Sequence, residues 1–242
     1  MLPPNTLRQL EEIVVFRQQE QALREDPVLG KHVKPGYRTI FACPSGVGKT
    51  LSASLIGQKL HLPVYRVDLS RLVSKWIGET SKNLDKLFNL AEDQDWILFF
   101  DEGDALFGKR VDTGENDQKN AHYANQEIAY LLQRIEDYNG LVIVATNKPN
   151  NMDNAFGRRF QSRVDFDVLP DEQRLELWKS LLTREFKLGA DVNLNHLNRL
   201  HRFSMAGIYN IVARVTVLCR HHGHQEIPYE LLKRCALDEK LK

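Results

Sequence analysis

Short apolar runs alternate with amphipathic stretches through the first two thirds of the chain. The apolar runs stand at residues 37–43, 64–69, 96–100, 141–146 and 164–168. They are too uniformly apolar for a sheet with one solvent-exposed face, so they predict parallel strands that are buried on both faces of the sheet. The intervening amphipathic stretches are residues 50–60, 81–91, 123–138 and 153–160. Since parallel strands need crossover connections, the pattern predicts an α/β fold with a five-stranded parallel sheet flanked by helices.

The two ends of the chain lack this strand pattern. Leu7, Leu10 and Val14 recur at helical spacing and predict a helix, which breakers around Pro27 and Pro35 separate from the first strand. After Pro170 the pattern predicts only helices, at residues 171–186, 194–201, 205–220 and 229–237. We therefore expect an N-terminal helix and linker at 1–35, an α/β domain at 36–169 and a C-terminal helical lid subdomain at 170–242.

Composition narrows the class of protein without identifying it. The chain has 242 residues, of which 42% are hydrophobic and 27% charged, as in ordinary globular proteins. A net charge of +1 gives no electrostatic footprint for nucleic acid or a membrane surface. No apolar run approaches the roughly 18 residues of a membrane helix. Three widely spaced cysteines form no disulfide framework or zinc motif, so we expect a reducing, cytoplasmic setting.

The segment after the first predicted strand has the residues of a phosphate-binding loop. Residues 42–50 read Ala-Cys-Pro-Ser-Gly-Val-Gly-Lys-Thr and lead into a predicted helix. Glycines let backbone N–H groups turn toward one anion, Lys49 would contact the β- and γ-phosphates, and Thr50 would bind Mg²⁺. The predicted nucleotide-binding residues are Pro44, Ser45, Gly46, Val47, Gly48, Lys49, Thr50 and Leu51.

One position departs from the strict phosphate-loop pattern. Cys43 stands where the first glycine is expected, and at a positive φ it would cost about 1 kcal/mol or more. Two alternatives therefore stay open: a glycine-rich turn without a ligand, and a loop that binds nucleotide but hydrolyses it slowly.

Two further predicted strands end in polar side chains. Asp101 and Glu102 follow the apolar run 96–100, at the edge where parallel sheets bind ligands. Asp101 would hold Mg²⁺, Glu102 would act as general base on the attacking water, and Asp104 would support the site or a subunit contact. Asn147 follows the run 141–146 and would bind the γ-phosphate or this water. The structural alternatives are two acids capping a helix that starts at Glu102, and a turn residue before Pro149.

Together these motifs make the chain resemble an AAA+ ATPase, in particular the AAA subfamily that includes katanin, spastin and FtsH. The resemblance covers residues 36–222, and within this range the segments 153–160 and 204–208 also match motifs of the family. Met205 and Gly207 depart from the family's lid motif. A narrower similarity, over 69–160, is to bacterial AAA ATPases encoded beside contractile injection systems.

The resemblance implies a ring of identical subunits, a hexamer in this family, which binds ATP and Mg²⁺. Arg158 and Arg159 match the arginine-finger segment and would reach the γ-phosphate held by a neighbouring subunit. An arginine finger of this kind accelerates hydrolysis of the nucleotide by about 10³–10⁵-fold. Alternatively, both arginines form salt bridges at a helix end and Arg163 is the competing candidate.

The same resemblance implies a pore loop at Lys75, Trp76 and Ile77. One Trp76 from each subunit would grip an extended protein substrate by apolar contact, without reading its sequence. The alternative is a tryptophan packed in the core.

We thus expect a Mg²⁺-dependent ATPase that remodels, unfolds or disassembles proteins through a central pore. Two other functions stay open: a slowly hydrolysing assembly switch gated by nucleotide, and a DNA-acting AAA+ protein, which the near-neutral charge disfavours. Only about 35 residues precede the first strand, so we expect an adaptor to deliver the substrate, or the sequence to be part of a longer protein.

Overall fold

A computed structural model describes residues 2–42, 46–69, 80–107, 118–149, 152, 154–166 and 169–240. The chain divides into two compact units, an α/β unit and a helical unit. The helical unit contains the described residues within 45–48 and 167–242 together with the extreme amino terminus, and the α/β unit contains the rest. Within the described ranges, no helix has the length and apolarity that a membrane crossing requires.

The α/β unit alternates strands and helices as the sequence pattern predicts. In chain order its elements are α1 (Pro4–Glu25), β1 (Tyr37–Ala42), α2 (Lys49–Leu60), β2 (Val64–Asp68), α3 (Thr80–Asp93), β3 (Ile97–Asp101), α4 (Asp104–Phe107), α5 (Gln118–Asp137), β4 (Leu141–Thr146), α6 (Asn154–Gly157) and β5 (Ser162–Asp165).

The strands form one five-stranded parallel sheet in the order β2-β3-β4-β1-β5, which confirms the predicted fold class. Every residue of β1 and β4 is buried, because these strands lie inside the sheet with both faces covered. The pairings Ala42–Thr146 and Asp68–Asp101 bring the carboxyl ends of neighbouring strands to one edge. This edge is where polar side chains from different strands meet.

The edge strand β5 differs from its prediction. Its apolar pattern predicted residues 164–168, whereas the strand runs from Ser162 to Asp165. Three of its four residues are only partly buried or exposed. A strand at the edge of a sheet carries polar residues, so its beginning lacks the apolar signal that marks the central strands.

Helix α1 confirms the helix predicted from Leu7, Leu10 and Val14, although only part of that set is buried. Its buried residues are Thr6, Ile13, Val14 and Glu20. Leu7 is 49% exposed. The Thr6 hydroxyl donates a hydrogen bond of 3.1 Å to the Asp165 carbonyl of β5. A polar side chain that bonds to the edge strand therefore occupies a position that apolar periodicity cannot find.

The helical unit has its own core. Its elements are α7 (Asp171–Leu182), β6 (Lys187–Leu188), α8 (Leu194–Leu200), α9 (Met205–His222), β7 (Glu226–Ile227) and α10 (Tyr229–Lys240). Trp178, Ile208, Val215 and Leu232 are fully buried in it. The short parallel pairing of β6 with β7 corrects the prediction that strands end at Pro170. Two-residue strands are too short to show alternation, so the sequence pattern misses them.

Candidate functional site

The described part of the phosphate-binding loop has the backbone that its glycines predict. Gly46 and Gly48 have φ of +81° and +99°, a region that favours glycine over any residue with a Cβ. Lys49 follows directly and begins the 12-residue helix α2. Val47 is buried, whereas Leu51 is 60% exposed. Cys43, Pro44 and Ser45 lie outside the described residues.

Gly46 packs closely against the start of α9, which belongs to the same compact unit. The Ala206 N–H donates a hydrogen bond of 3.0 Å to the Gly46 carbonyl. A Cβ at Gly46 would lie 2.7 Å from the Ser204 hydroxyl oxygen. That hydroxyl also accepts from the Gly207 N–H at 3.2 Å and so caps α9. The segment that resembles the lid motif is thus in direct contact with the loop.

Lys49 and Asn147 meet at the carboxyl edge of the sheet. The Lys49 ammonium donates to the Asn147 side-chain oxygen, with 2.5 Å between Nζ and Oδ1. Lys49 is buried, at 8% exposure, while Asn147 is exposed just after the end of β4. Lys49 and Asn147 were both predicted to bind near the γ-phosphate. They come from motifs almost 100 positions apart and lie in direct contact.

Asp104 fixes the turn that carries Asn147. One oxygen of its carboxylate accepts from the Thr146 hydroxyl and from the N–H groups of Asn147 and Lys148, the last two at 3.1 Å. Beside it, the Gly103 N–H donates to the Ala145 carbonyl at 2.7 Å, and a Cβ there would lie 2.6 Å from Val144. The sequence predicted for Asp104 only a role in supporting the site or a subunit contact, because the strand that a carboxylate contacts cannot be read from its neighbours in sequence.

The two adjacent carboxylates after β3 have different surroundings. Asp101 accepts from Arg66 Nη2 on Oδ2 at 2.6 Å and from the Glu102 N–H on Oδ1 at 3.0 Å. Glu102 is exposed, with a φ of +57° that is unusual for a residue other than glycine. Helix α4 begins at Asp104 and not at Glu102, so the alternative of a helix starting at Glu102 is wrong.

The donor set at this edge suits Mg²⁺ and a triphosphate. Mg²⁺ prefers carboxylate, hydroxyl and phosphate oxygens, which Asp101, Thr50 and the nucleotide would supply. Thr50 is exposed in the first turn of α2, next to Lys49. The amino terminus of this helix favours anions, as the phosphate groups require. The residues present therefore fit both groups.

The candidate finger arginines lie at the opposite edge of the sheet. Arg159 Nε pairs with Glu136 Oε1 at 3.0 Å, and Glu136 lies near the end of α5. The Glu136 carbonyl accepts from Arg38, the second residue of β1, at 2.6 Å. Arg158 and Arg159 also line a cavity of about 530 Å³ with Arg38 and Lys34. This end of β1 is one strand length, roughly 20 Å, from the carboxyl edge.

Arg158 and Arg159 of the finger segment and the competing candidate Arg163 differ in their ion-pair partners. Arg159 is engaged by Glu136, and Arg163 pairs with Asp165 at 2.7 Å. Arg158 is exposed and makes no ion pair with any residue that the structure describes. Burial lowers the pKa of the neighbouring Arg38, while Glu136, Glu20 and Asp137 oppose this effect. Of these three arginines, Arg158 is therefore the one without an ion-pair partner in the described part of the chain.

The predicted pore-loop residues Lys75, Trp76 and Ile77 lie outside the described residues. Their assignment stays a prediction, and so does the choice between a pore loop and a core tryptophan.

Comparison with known proteins bears on the family and the fold of the chain. Residues 39–168 match the model of the family described as "ATPase family associated with various cellular activities (AAA)". The FIGL-1 AAA domain in complex with ADP has the same fold, with a TM-score of 0.71 at 20% identity over 97% of this chain and 81% of that one.

Two curated proteins illustrate the relationship in sequence. An uncharacterized AAA family ATPase, y4kL of Sinorhizobium fredii, is 38% identical over 60% of this chain and 43% of its own length. Spastin of Xenopus laevis is 31% identical over 79% of this chain and 31% of its own length. The chain therefore spans less than half the length of these relatives.

Proposed function

The chain belongs to the AAA family of ATPases, and on that premise we propose that it is a cytoplasmic, Mg²⁺-dependent ATPase that works as a subunit of a ring, in this family a hexamer. The observation that carries this proposal is the contact between Lys49 and Asn147 at the carboxyl edge of the sheet, beside Asp101 and Glu102. These are the residue types that bind, hold and cut a terminal phosphate.

Each group has a distinct proposed role. The backbone of the glycine loop and Lys49 bind the phosphates, while Thr50 and Asp101 hold the metal. Mg²⁺ neutralises charge that develops on the phosphate oxygens. Glu102 accepts the proton of the attacking water, and Asn147 orients that water or the γ-phosphate. In the structure the Lys49 ammonium donates to Asn147, and its three N–H donors leave it able to bind a phosphate oxygen as well.

The position of the arginines explains why a ring is needed. Arg158 lies about one strand length from the phosphate-binding edge of its own subunit, which is beyond the reach of its side chain. A second copy, whose amino edge faces this site, supplies the missing guanidinium and stabilises the charge of the transition state. We assign this role to Arg158 because Arg159 is already paired with Glu136.

Protein remodelling is the work that the proposed ring performs. Lys75, Trp76 and Ile77 contact an extended segment of the substrate in the central pore, and an adaptor recruits the substrate. The resemblance to the AAA subfamily implies a protein substrate, and the near-neutral net charge gives no support to a nucleic acid. The narrower link to contractile injection systems stays a prediction.

The test is ATP turnover per subunit as a function of protein concentration, with particle mass measured in parallel. We expect low turnover for the monomer and a steep rise as rings form, because each site needs an arginine from its neighbour. Full turnover by a lone monomer would overturn the shared site, and failure to bind ATP at any concentration would overturn the ATPase itself.

Cys43 supports a second function, a nucleotide-gated assembly switch that hydrolyses slowly. In this case ATP binding drives assembly and turnover stays low even in the complete ring. The variant Cys43→Gly separates the two functions: a large gain in turnover of assembled rings supports the switch, and unchanged, fast turnover in both forms supports the remodelling ATPase.

A further inference from the structure

Arg66 contacts the candidate metal ligand but has no place in the roles assigned above. Its Nη2 donates to Asp101 Oδ2 at 2.6 Å, while Oδ1 accepts from the Glu102 N–H at 3.0 Å. Both oxygens of the carboxylate therefore have a partner within the subunit. Any cation that binds Asp101 has to share or replace one of these partners.

The register of the sheet puts Arg66 on the side of Asp101 that faces the phosphate-binding helix. Asp68 pairs with Asp101 across the parallel strands β2 and β3, and alternate residues of a strand share a face. Val64, Arg66 and Asp68 therefore lie on one face with Asp101. Helix α2 covers this face, since a Cβ at Gly57 would lie 2.4 Å from a Val64 methyl carbon.

Charge explains why a guanidinium is present here. Like charges directly opposite on neighbouring strands repel, and Asp68 and Asp101 are such a pair. The cation of Arg66 offsets this repulsion in the protein without metal. A divalent cation bound to Asp101 would also offset this repulsion, with twice the charge. Arg66 and the metal ion therefore compete for the same carboxylate.

The exposures of the two side chains make an exchange of partners feasible. The Arg66 side chain is 60% exposed and that of Asp101 is 15% exposed. The arginine can move into solvent at small cost, while the carboxylate stays where it is. An exposed ion pair of this kind changes an equilibrium by no more than about fivefold. We therefore expect a moderate competition that tunes metal affinity without preventing it.

We propose that Arg66 is a positioning residue that holds the Asp101 carboxylate in the nucleotide-free subunit and gives way when a divalent cation binds with the nucleotide. This inference rests on the proposed function, because it takes Asp101 as a metal ligand. Its consequence is that removal of the Arg66 charge strengthens metal binding, whereas loss of an ordinary structural ion pair leaves metal binding unchanged or weakens it.

The experiment is a titration of the full chain with Mn²⁺ in the presence of ADP, followed by the relaxation of water protons. Relative to the unaltered protein, Arg66→Gln is expected to bind Mn²⁺ about threefold more tightly. Arg66→Lys keeps a cation and is expected to stay within a factor of about 1.5. ADP affinity measured in EDTA should be the same in all three, because the arginine acts only through the metal ligand.

The matched control is Arg220→Gln in the helical unit. Arg220 Nη2 pairs with Glu185 Oε2 at the same distance, 2.6 Å, and its side chain is 63% exposed. This variant should leave the Mn²⁺ affinity unchanged. Unchanged or weaker Mn²⁺ binding by Arg66→Gln, or an equal change of ADP affinity in EDTA, would overturn the inference.

A further variant separates this inference from the proposed function. Asp101→Asn should weaken Mn²⁺ binding in the ADP complex at least tenfold, because a carboxylate ligand is lost. If Asp101→Asn binds Mn²⁺ like the unaltered protein, Asp101 is not a metal ligand and the assigned site fails. If it loses Mn²⁺ while Arg66→Gln changes nothing, only the role of Arg66 fails.

Discussion

Two residues that are next to each other in sequence have different environments at this site, which agrees with the separate roles that we propose for them. Asp101 is mostly buried and held by Arg66 and by the Glu102 N–H, so its carboxylate is fixed. Glu102 is exposed and has a φ of +57°, a backbone conformation that costs a residue with a Cβ about 1 kcal/mol. Strain of this kind clusters at functional sites, where the surrounding structure maintains it. The contrast supports a metal ligand at Asp101 and a mobile proton acceptor at Glu102.

Glu102→Gln tests the role of the general base. The amide keeps the size of the side chain but cannot accept the proton of water, so we expect turnover to fall by about 10²–10⁴-fold. ATP binding should change little, because no phosphate contact is assigned to Glu102. Turnover by assembled rings and equilibrium binding of ATP measure the two effects.

Glu102→Gly is the control for backbone strain in this experiment. Glycine accepts the positive φ, so the melting temperature should not fall, while turnover should be lost as in Glu102→Gln. Turnover that survives in either variant would remove Glu102 from the role of base.

At the scale of secondary-structure elements, the sequence pattern predicted the buried central strands. It missed the contacts that depend on hydrogen bonds between distant segments. The central strands β3 and β4 are apolar along nearly their whole length because both of their faces are covered, so the apolar pattern alone predicted their positions. The edge strand β5 was shifted, since Ser162 and Arg163 give no apolar signal. The contacts of Arg66 with Asp101 and of Asp104 with the β4 turn depend on which strands are neighbours, and a sequence does not contain that information directly.

The link between α4 and β4 is open to a direct test with Asp104→Asn. The neutral amide is a weaker acceptor for three hydrogen bonds, so we expect a loss of about 1–2 kcal/mol in the free energy of unfolding. The turn that holds Asn147 should loosen, and turnover should fall about tenfold while ATP affinity changes little. Denaturant titration and turnover measure these effects.

Asp93→Asn, at the end of α3, removes the same charge without a hydrogen-bond partner among the described residues. It should change neither quantity. Equal effects of the two substitutions would mean that Asp104 acts through net charge and not through the turn.

Helix α1 provides a matched pair of substitutions on two faces of one element. Ile13 is 1% exposed and Leu7 is 49% exposed. Ile13→Ala should lower the free energy of unfolding by about 2–4 kcal/mol, because it leaves a cavity beneath the helix. Leu7→Ala should change it by about 0.5 kcal/mol or less, as expected for a surface position. Thermal or denaturant unfolding compares them, and a larger loss at Leu7 would contradict the packing of α1 through Ile13.

At the scale of the whole molecule, the sheet separates the two halves of the reaction centre that we propose. Lys49, Asn147 and the carboxylates lie at the carboxyl edge, and Arg158 lies at the amino edge. The sequence alone could identify both halves from their motifs. It could not tell Arg158 from Arg159, because the pairing of Arg159 with Glu136 joins segments that are distant in sequence. This separation predicts that two different inactive subunits can complement each other.

Mixing Glu102→Gln with Arg158→Ala subunits tests that prediction. Each variant alone should turn over ATP far more slowly, by about 10²–10⁴-fold for lack of the base and by about 10³–10⁵-fold for lack of the finger. In a 1:1 mixture an active site needs an Arg158→Ala subunit next to a Glu102→Gln subunit, so random rings should recover about a quarter of the normal turnover. Arg159→Ala should lose far less activity than Arg158→Ala, because its partner Glu136 lies in the same subunit. If the mixed rings assemble, as shown by their mass, and remain inactive, Arg158 does not act across the subunit boundary and each chain completes its own site.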